Sequence, residues 1–353
     1  MPTAITTTFS LRRLATAALI GAFGLVTLLV SPLRGQDTDE RARPVEGEDF
    51  RVYDIAGRSS SFAAVLKQLS DTDVVLVGEE HDDVIGHRFE VELLSAAYRR
   101  LRAEDGREVI LSLEMFERDV QYILAEYLEG AISETHFLNS SRPWDSYEDH
   151  YRPLVEFSKQ HGLAVVAANA PRRYVNRVSR EGPESLMALS ATAKSFLPPL
   201  PYPGPSTEYR AQWDALMAEA MAEAAMQSDS SAADVGGDEA DGDEASVSQH
   251  YAINPNVIYS QALWDASMGH AVTSALRAAP GALVVHMAGS FHVQRGTGIP
   301  ERIADYAPAT RILSIVMVSV HDITAWDDEE HEGLGDFVVL TRLPEAVADG
   351  SGN

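Results

Sequence analysis

Short apolar runs recur along this chain, separated by stretches with helical periodicity. The runs at 74–77, 109–113, 163–167, 283–287 and 312–318 are almost continuously apolar rather than alternating, and 337–340 adds a sixth. Continuous runs of this length predict strands covered on both faces. The helical segments between them predict βα units, and so an α/β fold with a mainly parallel sheet flanked by helices. The clearest helix spans about 84–102, where Val84, Val91, Leu94 and Leu101 recur at helical spacing and predict an inward stripe. His87 falls on that stripe. Pro171 suits the first turn of a helix over 172–180.

The pattern changes over residues 180–260, which hold no strand-like run and predict a smaller helical subdomain inserted into the α/β domain. Residues 197–205 are proline-rich and predict a stiff, irregular loop. Residues 211–226 favour helix. Residues 228–248 are acidic and rich in Gly, Ser and Ala, the composition of a disordered insertion.

The N-terminus has the layout of an export signal. Arg12 and Arg13 precede an uncharged, apolar run over 14–30, which Ser31-Pro32 interrupts. The run exceeds the roughly 7–15 residues of an ordinary signal core, and no A-x-A site follows it, so an uncleaved membrane anchor stands beside a cleaved signal peptide. The chain thus divides into a signal or anchor (1–35), a polar linker (36–47), one domain (48–345) and a tail (346–353). The expected location is exported, in the periplasm or cell envelope, with membrane contact only through an uncleaved N-terminal segment.

Composition narrows the chemistry. The 353 residues are 45% apolar and 23% charged, ordinary for a globular protein. With 53 acidic against 28 basic residues the formal charge is −25, which disfavours nucleic acid as a partner because phosphate contacts need a basic face. There is no cysteine. Thiol catalysis, iron–sulfur clusters, thiolate zinc sites, disulfides and lipid attachment to cysteine are therefore excluded. A metal would need His, Asp, Glu, Tyr or Met.

Two short motifs stand directly after predicted strands: Gly78-Glu79-Glu80-His81 and Gly289-Ser290-Phe291-His292. In open parallel sheets ligands bind beyond the carboxyl ends of the strands, where such a turn would present its histidine. His81 and His292, with Glu79 or Glu114 as carboxylate, make a candidate divalent-metal site, and Gly78, Gly289 and His87 are supporting residues. If the site hydrolyses a substrate, Glu79, Glu80 or Glu114 is the candidate general base. A structural role for either histidine is the competing reading. Asp82 and Asp83 are further carboxylates of the same turn. His286 reads as structural, and His136, His150, His161, His321 and His331 as solvated. No P-loop, dinucleotide fingerprint or Gly-x-Ser-x-Gly elbow is present.

Taken in order, these residues resemble the ChaN-like haem-binding family. The resemblance rests on 77–83 with His87, on Leu113-Glu114-Met115-Phe116, and on Trp144 with Tyr151-Arg152-Pro153-Leu154. It continues through Ala167-Ala168-Asn169-Ala170-Pro171-Arg172, the segment 261–268, and Ala288-Gly289-Ser290-Phe291-His292 with 298–302. It covers about residues 50–345. It implies an α/β core with a smaller helical part, an envelope location, and haem binding linked to iron uptake. It also implies kinship with a superfamily holding TIKI-type metalloproteases and erythromycin-esterase-like proteins.

The resemblance favours tyrosine as the haem ligand, with Tyr209 matching the family's tyrosine after the proline-rich loop and Tyr202 as second candidate. Arg210 or Arg173 is the candidate propionate partner. The leading expectation is an exported haem-binding protein in haem or iron acquisition, with haem held at the helical subdomain and a homodimer as a candidate assembly. The rival is a metal-dependent hydrolase using the paired Gly-x-x-His motifs.

Overall fold

The computed structural model describes residues 43–231 and 254–344. The expected signal or anchor (1–35), most of the expected linker, the insertion beyond residue 231 and the tail lie outside the described residues. No described helix is long and apolar enough to cross a membrane.

Seven strands form one sheet in the order β1-β7-β6-β2-β5-β3-β4. They are β1 (Phe50–Asp54), β2 (Val74–Glu79), β3 (Val109–Glu117), β4 (Ala164–Asn169), β5 (Leu283–Gly289), β6 (Ile312–Val320) and β7 (Phe337–Arg342). All neighbours run parallel except β1, which pairs antiparallel with β7. The six expected runs are all strands. β1 was not expected: it is only five residues long and lacks a continuous apolar run.

The sheet is buried on both faces, which is why its central strands read as unbroken apolar runs. Val75, Val77, Leu111, Leu113 and Val165 point to one side, where they meet Phe89, Leu93 and Leu94 of α2 (Val84–Ala97) and Leu154 and Val155 of α5 (Arg152–His161). Between these helices come α3 (Gln121–Leu128) and α4 (Glu134–Ser141). Val74, Leu76 and Val284 point to the other side. There they meet Met268 and Val272 of α9 (Val257–Ala278) and Ile299 and Ile303 of α10 (Ile299–Tyr306).

α2 begins at Asp83, whose carboxylate caps Ile85 N at 3.0 Å. Its inward stripe is shifted from the expected one. Val84 is 43% exposed because it is the first residue after the cap, before the helix settles onto the sheet. The stripe consists of Gly86, His87, Phe89, Glu90, Leu93, Leu94 and Ala97. Two of these are polar, and both matter below. The expected helix continues past Ala97 as a π-helical turn over Tyr98–Ala103.

Among the described residues, 180–260 hold no strand. They contribute α6 to Glu181 (Arg172–Glu181), α7 (Ala191–Lys194), α8 (Thr207–Ser231) and the start of α9. They build two small apolar clusters. One joins Val175, Val178, Leu186, Leu197 and Tyr202 to α9, and the other gathers Tyr209 and Trp213 against Val257, Ile258 and Phe291.

Two polar side chains close the sheet's margins. Near the amino ends of β2, β3 and β5, Arg107 donates to the carbonyls of Leu69, Thr72, Gly281 and Ala282 at 2.5–3.2 Å. On the outer edge of β4, the Gln121 carboxamide donates to Val165 O at 2.9 Å and accepts from Ala167 N at 2.8 Å.

Leu94 is fully buried between α2 and the sheet. Truncating it removes three carbons and leaves a cavity, so Leu94→Ala should lower unfolding free energy by about 2–5 kcal/mol. Chemical denaturation of the purified chain checks this; an unchanged midpoint would contradict the packing described.

Candidate functional site

β2 and β5 lie side by side in parallel register, pairing Gly78 with Ala288 and Glu79 with Gly289. The two Gly-x-x-His motifs therefore leave the sheet as neighbours, although they are far apart in sequence. Close approach requires the glycines. A Cβ on Gly78 would lie 3.0 Å from Ser290 Cα, and one on Gly289 would lie 3.2 Å from His81 Cε1 and Nε2.

Each histidine is held by a buried carboxylate. On one side His81 Nδ1 is 2.8 Å from Glu79 Oε1, and the Tyr151 hydroxyl donates to that same oxygen. On the other, His292 Nδ1 is 2.7 Å from Asp265 Oδ1, supplied by α9. The Tyr209 hydroxyl is buried beside the Asp265 carboxylate, without a well-aligned hydrogen bond. Glu114, on β3 just past its regular pairing with β4 and β5, lies between the two histidines. Its Oε2 accepts from Gly289 N at 2.8 Å, and its Oε1 is 3.8 Å from His292 Nε2. With each Nδ1 occupied by a carboxylate, Nε2 is the nitrogen left for other contacts in both rings.

A cavity of about 400 Å³ opens over this pair, lined by His81, Glu114, Trp144, Arg172, Trp264 and His292 among others. Trp144 packs edge-on against His81 with centroids 4.8 Å apart. The site thus joins apolar walls, a cation, a carboxylate and two imidazoles at the carboxyl ends of parallel strands, where α/β folds place ligands.

Charge is distributed unevenly. Burial pushes His292 down, but the charges of Asp265 and Glu114 outweigh it and raise it to about 9. His81 is likewise raised: burial opposes its proton, while the Glu79 hydrogen bond and the Glu114 charge favour it. His87 is lowered, chiefly by burial. Behind His81, Glu79 and Glu90 form a buried pair that interacts directly. Burial and the Glu79 charge raise Glu90, whereas hydrogen bonds from His81 and Tyr151 help keep Glu79 ionised despite its burial.

Several expected residues stand elsewhere. Glu80 turns away from the crevice: Ser319 N donates to it at 3.1 Å and the Ser319 hydroxyl also donates, so it is tied to β6 and not placed as a base. Successive side chains at the end of β2 point oppositely, which is why Glu79 faces the site and Glu80 does not. Asp83 caps α2 and accepts from the Thr341 hydroxyl at 2.6 Å. Tyr202 is buried and donates to Tyr259 O at 2.8 Å. Tyr209 is 1% exposed, packed edge-on against Phe291. Arg210 is exposed over the Tyr259 ring, and Arg173 pairs with Asp119 at 2.6 Å.

Among the histidines, His286 is buried in β5 and bonded to Ser112, as expected of a structural residue. His331 was expected to be solvated but is buried against Trp326, with Asp327 N donating to its Nδ1 at 3.1 Å. His150 is half-buried, stacked on His87 at 4.2 Å. Sequence reasoning assigned no site role to Asp265, Tyr151, Glu90 or Trp264. Glu90 carried a usable signal, since it follows His87 by three residues and so shares its helix face.

The family described as haem-binding uptake, Tiki superfamily, ChaN matches residues 65–303. The chain belongs to the ChaN family. A solved structure of ChaN from Campylobacter jejuni, described as showing cofacial heme binding, resembles it with a TM-score of 0.57 at 17% identity. That likeness covers 85% of this chain and 100% of the other, and shows a shared fold. The erythromycin esterase EreC, a mutant in its open conformation, matches with a TM-score of 0.39 at 12% identity, over 84% of each chain. No curated protein matches significantly.

The His292–Asp265 pair gives this ChaN family member a pH signature. His292 is raised on folding, so the pair's contribution to stability is fully present below the ordinary imidazole pKa of about 6.5 and is lost as pH rises through about 9. In metal-free protein, the His292 ring protons should titrate near 9 by NMR. Asp265→Asn should lower that midpoint by about 1 unit or more. A midpoint that stays at 9 in the variant would contradict the assigned cause.

Proposed function

We propose that this ChaN family member is an exported haem-binding protein acting in haem or iron acquisition, with haem received at the ring cluster formed by α8 and the β5 turn. Family membership over residues 65–303 is the observation that carries the reading. A similar fold is described as binding haem cofacially in the Campylobacter jejuni protein, which favours two copies of the chain as the haem-bound assembly. The layout of residues 1–35 favours export into the periplasm or cell envelope.

The donor set suits haem. Without cysteine, the axial ligand comes from His, Tyr or Met. Tyr209 offers a hydroxyl with no well-aligned hydrogen bond among the described residues, surrounded by Phe291, Trp213, Val257 and Ile258. The bound group would supply a ferric iron that takes a phenolate oxygen. Burial and the nearby Asp265 charge hold the Tyr209 proton on tightly in the haem-free chain. Tyr209 lies in the first turn of α8 and is buried against Val257, Ile258 and Phe291, so haem entry would require that turn to move. Arg210 is exposed one residue away and available to a propionate.

Haemin titration of the purified chain tests this by absorbance. A saturable Soret band is expected, lost or blue-shifted in Tyr209→Phe and retained in Tyr202→Phe. A band of wild-type position and affinity in Tyr209→Phe would remove Tyr209 as ligand, and no saturable band in the wild type would remove the haem reading.

One observation favours a second reading: two histidines, each backed by a buried carboxylate, flank Glu114 over a cavity walled by tryptophans. In a hydrolase, Glu114 or Glu79 would serve as base and Nε2 of His81 and His292 would bind a metal or the reacting oxygen. If an ester-hydrolysing activity is found, His81→Ala and His292→Ala should each abolish it while Tyr209→Phe leaves haem-independent turnover measurable. Turnover that survives both histidine variants would discard this reading.

A further inference from the structure

Behind the crevice, Glu79, His87 and Glu90 converge in the interior between β2 and α2. Their candidate ligand atoms all lie within 4.8 Å of one another, and among the described residues they are the one group of three or more His and acidic side chains so gathered. His87 Nδ1 is 3.0 Å from Glu90 Oε2 and 3.8 Å from Glu79 Oε2. All three residues are at most 3% exposed. Glu79 Oε2 and Glu90 Oε1 have no hydrogen-bond partner among the described residues. Among the described residues no lysine or arginine pairs with either carboxylate.

The free oxygens of Glu79 and Glu90, which no lysine or arginine approaches among the described residues, are open to a cation. The imidazole is prepared to be a ligand rather than that cation. His87 Nε2 faces His81 O at 3.1 Å, and a carbonyl only accepts, so Nε2 carries the hydrogen. In the neutral ring Nδ1 then presents its lone pair to the two carboxylates. A ligating histidine held by a backbone carbonyl through its other nitrogen is the usual outer shell of a metal site. Glu79 is held in the same way, because its Oε1 is occupied by His81 and by the Tyr151 hydroxyl. The 3.0 and 3.8 Å separations at His87 Nδ1 bracket the roughly 3.3–3.6 Å between ligands at about 2.0–2.2 Å from a tetrahedral centre, so small side-chain shifts would seat such an ion. A calcium ion would need 6–8 oxygens, which this pocket does not offer.

We propose that Glu79, His87 and Glu90 form an interior binding site for one divalent transition-metal ion of the zinc class, distinct from the paired histidines of the crevice. Glu79 is then shared, with one oxygen on the ion and the other on His81. The ion ties β2 to α2 and fixes the carboxylate that orients His81. This inference does not rest on haem binding: a chain that takes up zinc and no haem would fail only the earlier reading.

The test is Zn²⁺ titration of the purified full chain after chelator treatment, with bound metal measured after gel filtration and folding followed by circular dichroism. One Zn²⁺ per chain is expected. Glu90→Gln and His87→Gln should each weaken binding by more than about 100-fold, beyond the 10–100-fold of an outer-shell change, while His292→Ala keeps wild-type affinity. A folded wild-type chain that retains no zinc overturns the proposal. So does wild-type affinity in Glu90→Gln and His87→Gln, and so does loss that follows His292→Ala instead. If the two interior variants fail to fold, X-ray absorption of zinc-loaded wild type decides. One imidazole with oxygen ligands supports the interior site, and two imidazoles place the ion in the crevice.

Discussion

Parallel pairing of β2 with β5 is the constraint on which the rest of the site depends. β5 enters the sheet between β2 and β3, although β3 and β4 precede it in the chain. Only that insertion sets Glu79 opposite Gly289 and lets two turns that are remote in sequence meet over Glu114. The register matters because both strands are wholly buried, and a slip of one residue would exchange the side chains packed under α2 and α5 for those packed under α9 and α10. The two glycines then set how close the turns come. Any larger side chain at Gly289 would press on the His81 ring.

The two halves of the site are built alike from unlike parts. His81 rests on Glu79, and Glu79 on Tyr151; His292 rests on Asp265, beside which Tyr209 is buried. On one side the support comes from β2 and the π-helical turn ahead of α5, on the other from α9 and α8. Tyr209 therefore touches both readings of the protein. It is the leading haem ligand and also packs against the support of a crevice histidine. Movement of α8 that frees its hydroxyl for iron would change the surroundings of Asp265, and with them the charge on His292.

The strands, the α/β class and the two histidine turns were legible in the sequence because each has a local signature. Burial on both faces writes a strand as an unbroken apolar run, and a strand end followed by Gly-x-x-His needs only four residues to be seen. Partners that arrive from other elements left no such trace. Asp265 sits in a run of small and apolar residues on α9, and nothing in that run says which strand end it faces. Glu90 reads as an ordinary helix-surface acid until the stripe of α2 is placed two residues on from where Val84 suggested. His331 looked solvated because its neighbours are acidic, yet a short turn folds it onto Trp326. β1 was missed since it is short and sets Arg51 between buried Phe50 and Val52, so it writes no continuous apolar run.

The Gln121 carboxamide on the outer edge of β4 bears on how copies of this chain can meet. By donating to Val165 and accepting from Ala167 it imitates one residue of an eighth strand. An exposed edge otherwise invites strand addition from a second molecule. Here a newcomer would first have to displace a side chain that already satisfies both backbone groups, and it would gain no hydrogen bonds at those positions. Sheet-to-sheet extension at β4 is thereby blunted.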